Sequence, residues 1–306
     1  MNAAQDRLYS RKFGVFNHFL FGAPGGSVPA EQATSGWNER CEAFDVRYAA
    51  RTLHELGAGY YVITLMQGRK YMAAPNAAFD AIAGTKPGEA CAKCDLILDL
   101  SDALRAYDID LYLYFTGDGP YRDPECGEKF GFVEPRRGVS PDFCRKWASV
   151  LEEYAVRYGS RVRGWWIDGC YDYFGYDEER LSYYHAAVKK GNPGAMTAMN
   201  NGVKDELVKW YAGDEFTCGE FNDFRYVPRS RSVDGAQAHI LAPLGLSADG
   251  SPWGGWNRPG CKCTKAELRD YVSRVHDAGG VVTVDIHIRQ DCTFDDDQLE
   301  VLSGIR

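Results

Sequence analysis

The stretch GWWIDG, residues 164–169, decides the fold. Trp165, Trp166 and Ile167 run without polar interruption into a single acid, Asp168, and a turn signal follows at Gly169. A short continuous apolar run of this kind reads as a strand buried on both faces, as in a parallel sheet covered by helices. The flanks agree. DFCRKWASVLEEYAVRY (142–158) carries the helical period on the amino side, and EERLSYYHAAVKK (178–190) carries it on the other.

The same unit recurs along the chain. Strands are predicted at 13–21, 60–65, 111–116, 164–169, 196–200, 216–222, 236–244 and 281–288. Helices are predicted at 44–56, 94–107, 142–158, 178–190, 264–278 and 295–305, with a short one near 204–211. Eight strands, mostly separated by helices within 306 residues, indicate an α/β protein built as a single (β/α)8 TIM-type barrel. Residues 1–306 are expected to form one catalytic domain. No glycine-rich phosphate fingerprint follows an early strand, which disfavours the doubly wound open sheet.

A net charge of −8 without a basic tract argues against a nucleic-acid partner. No run approaches the about 20 apolar residues of a membrane span, so no membrane partner is expected. The start, MNAAQDRLYSRKFGVF, lacks an apolar signal core and reads as cytoplasmic. Ten cysteines in a chain of this length read as reduced thiols rather than a disulfide framework. CAKC (Cys91, Cys94) and CKC (Cys261, Cys263) offer four thiolates to a metal, but the tight second spacing and the wide separation weigh against it. No metal and no organic cofactor are expected.

Active sites of such barrels lie at the carboxyl ends of the strands. That rule retains His18, Gln67, Asp168, Asn200, Glu220, His239, Asp285 and His287. Two acids stand out, Asp168 after the fourth strand and Glu220 after the sixth. Facing carboxyl groups are the minimal apparatus for glycoside hydrolysis, one attacking the anomeric carbon and one held protonated for the leaving oxygen. Asp172 and Asp223 compete by proximity. Glu215 falls on the opposite face from residues 216, 218 and 220. Trp165, Trp166, Tyr171 and Tyr173 supply ring faces for a sugar. His239 and His287 read as hydrogen-bonded barrel residues.

Several of these segments, in order, resemble the α-L-fucosidases of glycoside hydrolase family 29. RKFGVFNHFLFG (11–22) is similar to their first strand, and His18 falls on a histidine that touches the sugar. LGAGYYVITLMQG (56–68) and LRAYDIDLYLYFT (104–116) resemble their second and third strands. VRGWWIDG (162–169) resembles the fourth, which carries the nucleophile, here Asp168. GDEFTCGE (213–220) is similar to the segment bearing the acid/base, here Glu220. PWGG (252–255) resembles a Trp-Gly-aromatic element in which Gly255 replaces the aromatic.

The resemblance implies a retaining exo-α-glycosidase acting on an α-L-fucoside or a related glycoside or oligosaccharide. His18, Gln67, Trp37, Trp166, Tyr171 and Trp253 are expected to hold the sugar. Two departures stand beside it. Gln67 and Gly68 occupy the positions of an adjacent histidine pair, with Gly68 leaving room for a different substituent. The last predicted helix closes the sequence without a β-sandwich, so a divergent, barrel-only relative is expected. The rival readings are a catalytically silent carbohydrate-binding protein on the same barrel and a metal-dependent lyase or isomerase.

Overall fold

The computed structural model describes residues 1–21, 30–132, 138–251 and 253–305, without the side chains of 30–35. Of the polar loop 118–138 expected to shape the pocket, residues 133–137 lie outside the described residues, as does Pro252.

Seven parallel strands form one curled sheet. They are β1 (Phe13–Asn17), β2 (Tyr60–Thr64), β3 (Asp110–Thr116), β4 (Val162–Asp168), β5 (Met196–Met199), β8 (His239–Pro243) and β9 (Val281–Asp285), in the order β5-β4-β3-β2-β1-β9-β8. A two-stranded hairpin, β6 (Ser232–Val233) with β7 (Ala236–Gln237), lies apart. The gap between β5 and β8 is filled by the segment 215–221. Glu215 N–H donates to Thr197 O on β5 at 3.0 Å, and on the other side Leu241 N–H donates to Gly219 O at 2.8 Å. The predicted sixth strand is therefore present as a stave, paired through bridges at Phe216 and Glu220 rather than as a regular ladder. Eight staves surround one interior, a TIM-like (β/α)8 barrel.

Side-chain parity sorts the core into two layers. Phe16, Tyr60, Val62, Tyr112, Tyr114, Trp166, Met196, Phe216, Cys218 and Leu241 fill the barrel itself. Their odd neighbours, among them Val15, Tyr61, Leu113, Trp165 and Ile167, face the surrounding helices. Those helices begin and end where local chemistry dictates. α3 (Val46–Leu56) is capped by Asp45 and stopped by Gly57 in the left-handed region. α7 (Pro141–Tyr158) starts at Ser140 with Pro141 in its first turn. α9 (Lys265–Asp277) opens with a Thr264/Glu267 capping box. α5 (Leu96–Arg105), α8 (Glu178–Gly191) and α10 (Asp296–Leu302) complete the predicted set.

Four helices were not expected from the sequence: α1 (Ala3–Ser10), α2 (Ala30–Glu42), α4 (Ala77–Ala83) and α6 (Pro124–Phe130). The reverse error falls at 204–211, which has no helix. There the Asp214 carboxylate binds the backbone N–H of Met199 and of Tyr211, both at 3.1 Å, and the Trp210 indole donates to Cys170 O at 3.0 Å. A single eight-residue helix is marginal by itself. Tertiary ties override it here. No described helix is long and apolar enough to cross a membrane.

Candidate active site

Interior parity carries to the carboxyl ends of the staves. Asp168 continues the face of Gly164 and Trp166, Asn200 that of Met196 and Ala198, and Glu220 that of Phe216 and Cys218. The barrel thus delivers Asp168, Asn200 and Glu220 to one mouth.

One amide joins the two acids. Asn200 Nδ2 donates to Asp168 Oδ1 at 2.8 Å and to Glu220 Oε2 at 2.7 Å. Because both bonds share one nitrogen, the bonded oxygens stand no more than about 5.5 Å apart. Asp168 has further donors. Tyr114 Oη donates to Oδ2 in a short bond, and Tyr171 Oη lies 3.4 Å from Oδ1. Gln67 Nε2 in turn donates to Tyr114 Oη at 2.8 Å, so Gln67 reaches Asp168 through the tyrosine.

The second acid sits differently. Burial pushes the Glu220 carboxyl up to about 7, the nearby Asp168 charge adds to the rise, and the Asn200 hydrogen bond opposes it. Left-handed glycines set both acids. Gly169, at φ +72°, turns the chain directly after Asp168, and Gly219, at φ +56°, precedes Glu220. A Cβ on Gly219 would stand 1.9 Å from His239 O, so only glycine admits this approach to β8.

The competing acids are engaged elsewhere. Asp172 is exposed and packs with Asn201, Asp223 pairs with Arg225 at 2.8 Å, and Glu215 lies outside the barrel on Lys189 and the Thr197 N–H. Asp118, at the end of the third stave, is buried with Oδ1 unpartnered. Burial raises its carboxyl well above the usual range, with the Asp168 charge adding to it, and so favours the neutral acid beside Asp168.

Across the mouth, His18 Nδ1 bonds Asp285 Oδ1 at 2.8 Å. Asp285 Oδ2 accepts the Asn257 backbone N–H at 2.8 Å, and Asn257 Nδ2 donates to His18 O at 3.0 Å. The Trp256 ring meets His18 edge-on at 5.7 Å. Trp256, next in sequence to Gly255, thus places an aromatic ring beside His18. His287 bonds Asn257 O at 2.9 Å. His239 is buried between Thr217 O and Thr283 Oγ1, and burial lowers it to about 4. Both act as internal hydrogen-bonding groups.

The remaining expected sugar contacts divide. Trp166 lies inside the barrel, stacked on Tyr114 at 5.2 Å with its indole N–H on Cys218 O, and forms the floor. Tyr171 flanks Asp168, and Trp253 stands exposed at the rim. Trp37 does not join them. It is buried in the outer core between Phe19, Phe21 and Tyr71, with its N–H held by Met72 O at 2.8 Å. The space expected at Gly68 is also filled. A Cβ there would meet Arg122 Cδ at 3.3 Å and Tyr121 Cε1 at 3.4 Å.

Tyr114, Trp256 and Asn257 were missed as site residues. Tyr114 was legible, since it shares the interior face of the third stave. Trp256 and Asn257 lie in an aperiodic loop that carries no such signal. Among the described residues no group of three or more His, Cys, Asp or Glu forms a metal cradle, and Cys94 meets Cys41 rather than completing a four-thiol set. A cavity of about 450 Å³ opens at the opposite, amino end of the barrel, but its aspartates are clamped by Arg7 and Arg11. It reads as a structural ion-pair network.

Fold and mouth together define a (β/α)8 barrel with two carboxyl groups joined by one amide at its carboxyl end. Solved structures with this fold include an α-L-fucosidase of glycoside hydrolase family 29 from Bacteroides thetaiotaomicron, at 18% identity and a TM-score of 0.67, covering 100% of this chain and 73% of that one. The α-L-fucosidase AlfC, in complex with Fuca(1,6)GlcNAc, matches at 14% identity and a TM-score of 0.64 over 99% of this chain and 97% of that one. An endo-fucoidan hydrolase of glycoside hydrolase family 107 matches at 15% identity and a TM-score of 0.72, over 98% and 53%. No protein-family model matches the chain, and no curated protein matches it in sequence.

Proposed function

We propose that this protein is a glycoside hydrolase, a retaining exo-α-glycosidase that cleaves an α-L-fucoside or a closely related sugar, with the whole chain as its catalytic barrel. The observation that carries the reading is the Asn200 amide bridging Asp168 and Glu220, with their bonded oxygens within about 5.5 Å. Retaining enzymes keep the two carboxyl groups about 5–5.5 Å apart, whereas inverting ones leave room for a water at greater separation.

Asp168, oriented by Tyr114, Asn200 and Tyr171, attacks the anomeric carbon as the bond to the leaving oxygen breaks. Glu220, raised to about 7, gives its proton to that oxygen. In the second half the Glu220 carboxylate takes a proton from water, which attacks the same carbon and releases Asp168. His18, fixed by Asp285, and Gln67 hydrogen-bond the sugar, while Trp166 and Tyr171 supply apolar walls. Fold likeness to α-L-fucosidases, one of them solved as a trapped covalent intermediate, supports the choice of sugar and mechanism.

The test is hydrolysis of a panel of aryl α-L- and α-D-glycosides by the wild type and by Asp168→Asn. The expected result is turnover of the α-L-fucoside or one relative, reduced by about a thousandfold or more in the variant. Sugar binding without turnover on any member would shift the assignment to a carbohydrate-binding protein.

A further inference from the structure

Asp118 is buried at the mouth and takes no part in the proton transfers assigned to Glu220. Its place follows from the third stave. Thr116 pairs with Asp168 in the sheet, and the ladder runs one step further, where Gly117 N–H donates to Asp168 O at 2.6 Å. Asp118 continues the interior parity of Tyr112, Tyr114 and Thr116, so it stands beside Asp168 and one pleat nearer the opening. Its carboxyl lies over Gly169, the residue after Asp168. A Cβ on that glycine would stand 2.7 Å from Asp118 Cγ and 2.8 and 3.1 Å from its two oxygens.

The carboxyl is 6% exposed, and its Oδ1 has no hydrogen-bond partner in the protein. Arg122, whose charge reaches Asp118, spends its Nε on Tyr121 Oη at 2.9 Å. Asp168, by contrast, has donors in Tyr114, Asn200 and Tyr171. Two adjacent buried carboxyls share one charge, and it settles on the one with donors. Asp118 is then the neutral acid, with an O–H to give as well as an oxygen to accept. A buried polar atom left without a partner is costly, so this one is a vacancy that a bound molecule fills.

Building on the glycosidase reading, we infer that Asp118 is a further substrate-binding residue, whose carboxyl hydrogen-bonds the sugar 2-hydroxyl, on the carbon next to the anomeric centre. With the anomeric carbon over Asp168, the atoms level with Asp118 are those attached to that carbon, the ring oxygen and the neighbouring carbon with its hydroxyl. A donor aimed at the ring oxygen would oppose the positive charge that develops there in the oxocarbenium-like transition state. The hydroxyl is the partner that helps, since bonds to it strengthen as that transition state forms.

The experiment measures kcat/KM for 4-nitrophenyl α-L-fucoside and for its 2-deoxy analogue in the wild type, Asp118→Ala, the nearly isosteric Asp118→Leu and Asp118→Asn. The ratio of the two values is the hydroxyl preference, and comparing it between proteins cancels the different intrinsic reactivity of the two sugars. Asp118→Ala and Asp118→Leu are each expected to shrink the preference about tenfold or more, with the loss falling on the fucoside. Asp118→Asn, which keeps the shape and a donor, should retain most of it. A preference unchanged within about twofold in the Ala and Leu variants, even if both substrates slow equally, overturns the assignment and leaves Asp118 a structural support, with the glycosidase reading intact. Failure of the wild type to hydrolyse either substrate overturns both.

Discussion

Glu220 is poised by opposing influences. Burial and the Asp168 charge raise its carboxyl to about 7, while the Asn200 amide, which binds the ionised form better, pulls it down. The proposed role of Glu220 as general acid requires it protonated, so kcat/KM should fall as pH rises through about 7. Asn200→Ala removes the donor, and the alkaline limb should move to higher pH while kcat drops about tenfold or more because Asp168 also loses a bond. A limb unchanged or moved downward would assign it to another group. The same shift has a stability consequence. The folded pKa lies above the ordinary 4.5, so this contribution is complete below about pH 4.5 and is lost as pH rises through about 7. Glu220→Gln should therefore gain on the order of 2 kcal/mol relative to wild type at pH 8 and little at pH 4, as read from denaturant unfolding.

At the scale of elements, the fourth stave answers why two tryptophans precede one aspartate. Trp165 faces the helices, Trp166 fills the barrel, and their alternation puts Asp168 on the interior face at the carboxyl tip. The third residue of the stave is a glycine for a packing reason. A Cβ on Gly164 would stand 2.5 Å from Tyr112 Cε1, inside the ring's contact distance. Gly164→Ala should destabilise the fold by about 1–3 kcal/mol by overpacking, measured as a lower midpoint in denaturant. Parity made Glu220 legible and Glu215 dismissible before any coordinates. It could not reveal Trp256 or Asn257, because the loop that carries them to His18 has no period and is placed by contacts with β9. Trp37 misled for the converse reason. An aromatic near the first strand looks available to a sugar, yet its indole is consumed by the Met72 carbonyl and the packing of α2.

Across the molecule, the two barrel ends do different work. α1 covers the amino end. Gln5 donates to Glu215 O and Gly235 O, Leu8 enters the interior core, and Arg7 grips Asp110 with Arg11 beside it. Asp110 is buried, and its removal takes a partner from three guanidinium groups, those of Arg7, Arg11 and Arg163. Asp110→Ala should cost about 2–3 kcal/mol of unfolding free energy, less than for a fully buried pair because Arg7 is part-exposed. Kinetic constants should stay within about twofold, since the site is at the opposite end; a selective loss of kcat would show that the ends are coupled.

The sequence by itself determined the eight staves, their interior faces and the two acids at their tips, because period and parity are properties of consecutive residues. Only the tertiary structure decided that one asparagine amide spans both acids, that Tyr114 and Gln67 stand behind Asp168, and that Arg122 and Tyr121 fill the space above Gly68. These are meetings of residues from different staves and loops. Their distances follow from how the barrel closes, which no local pattern encodes.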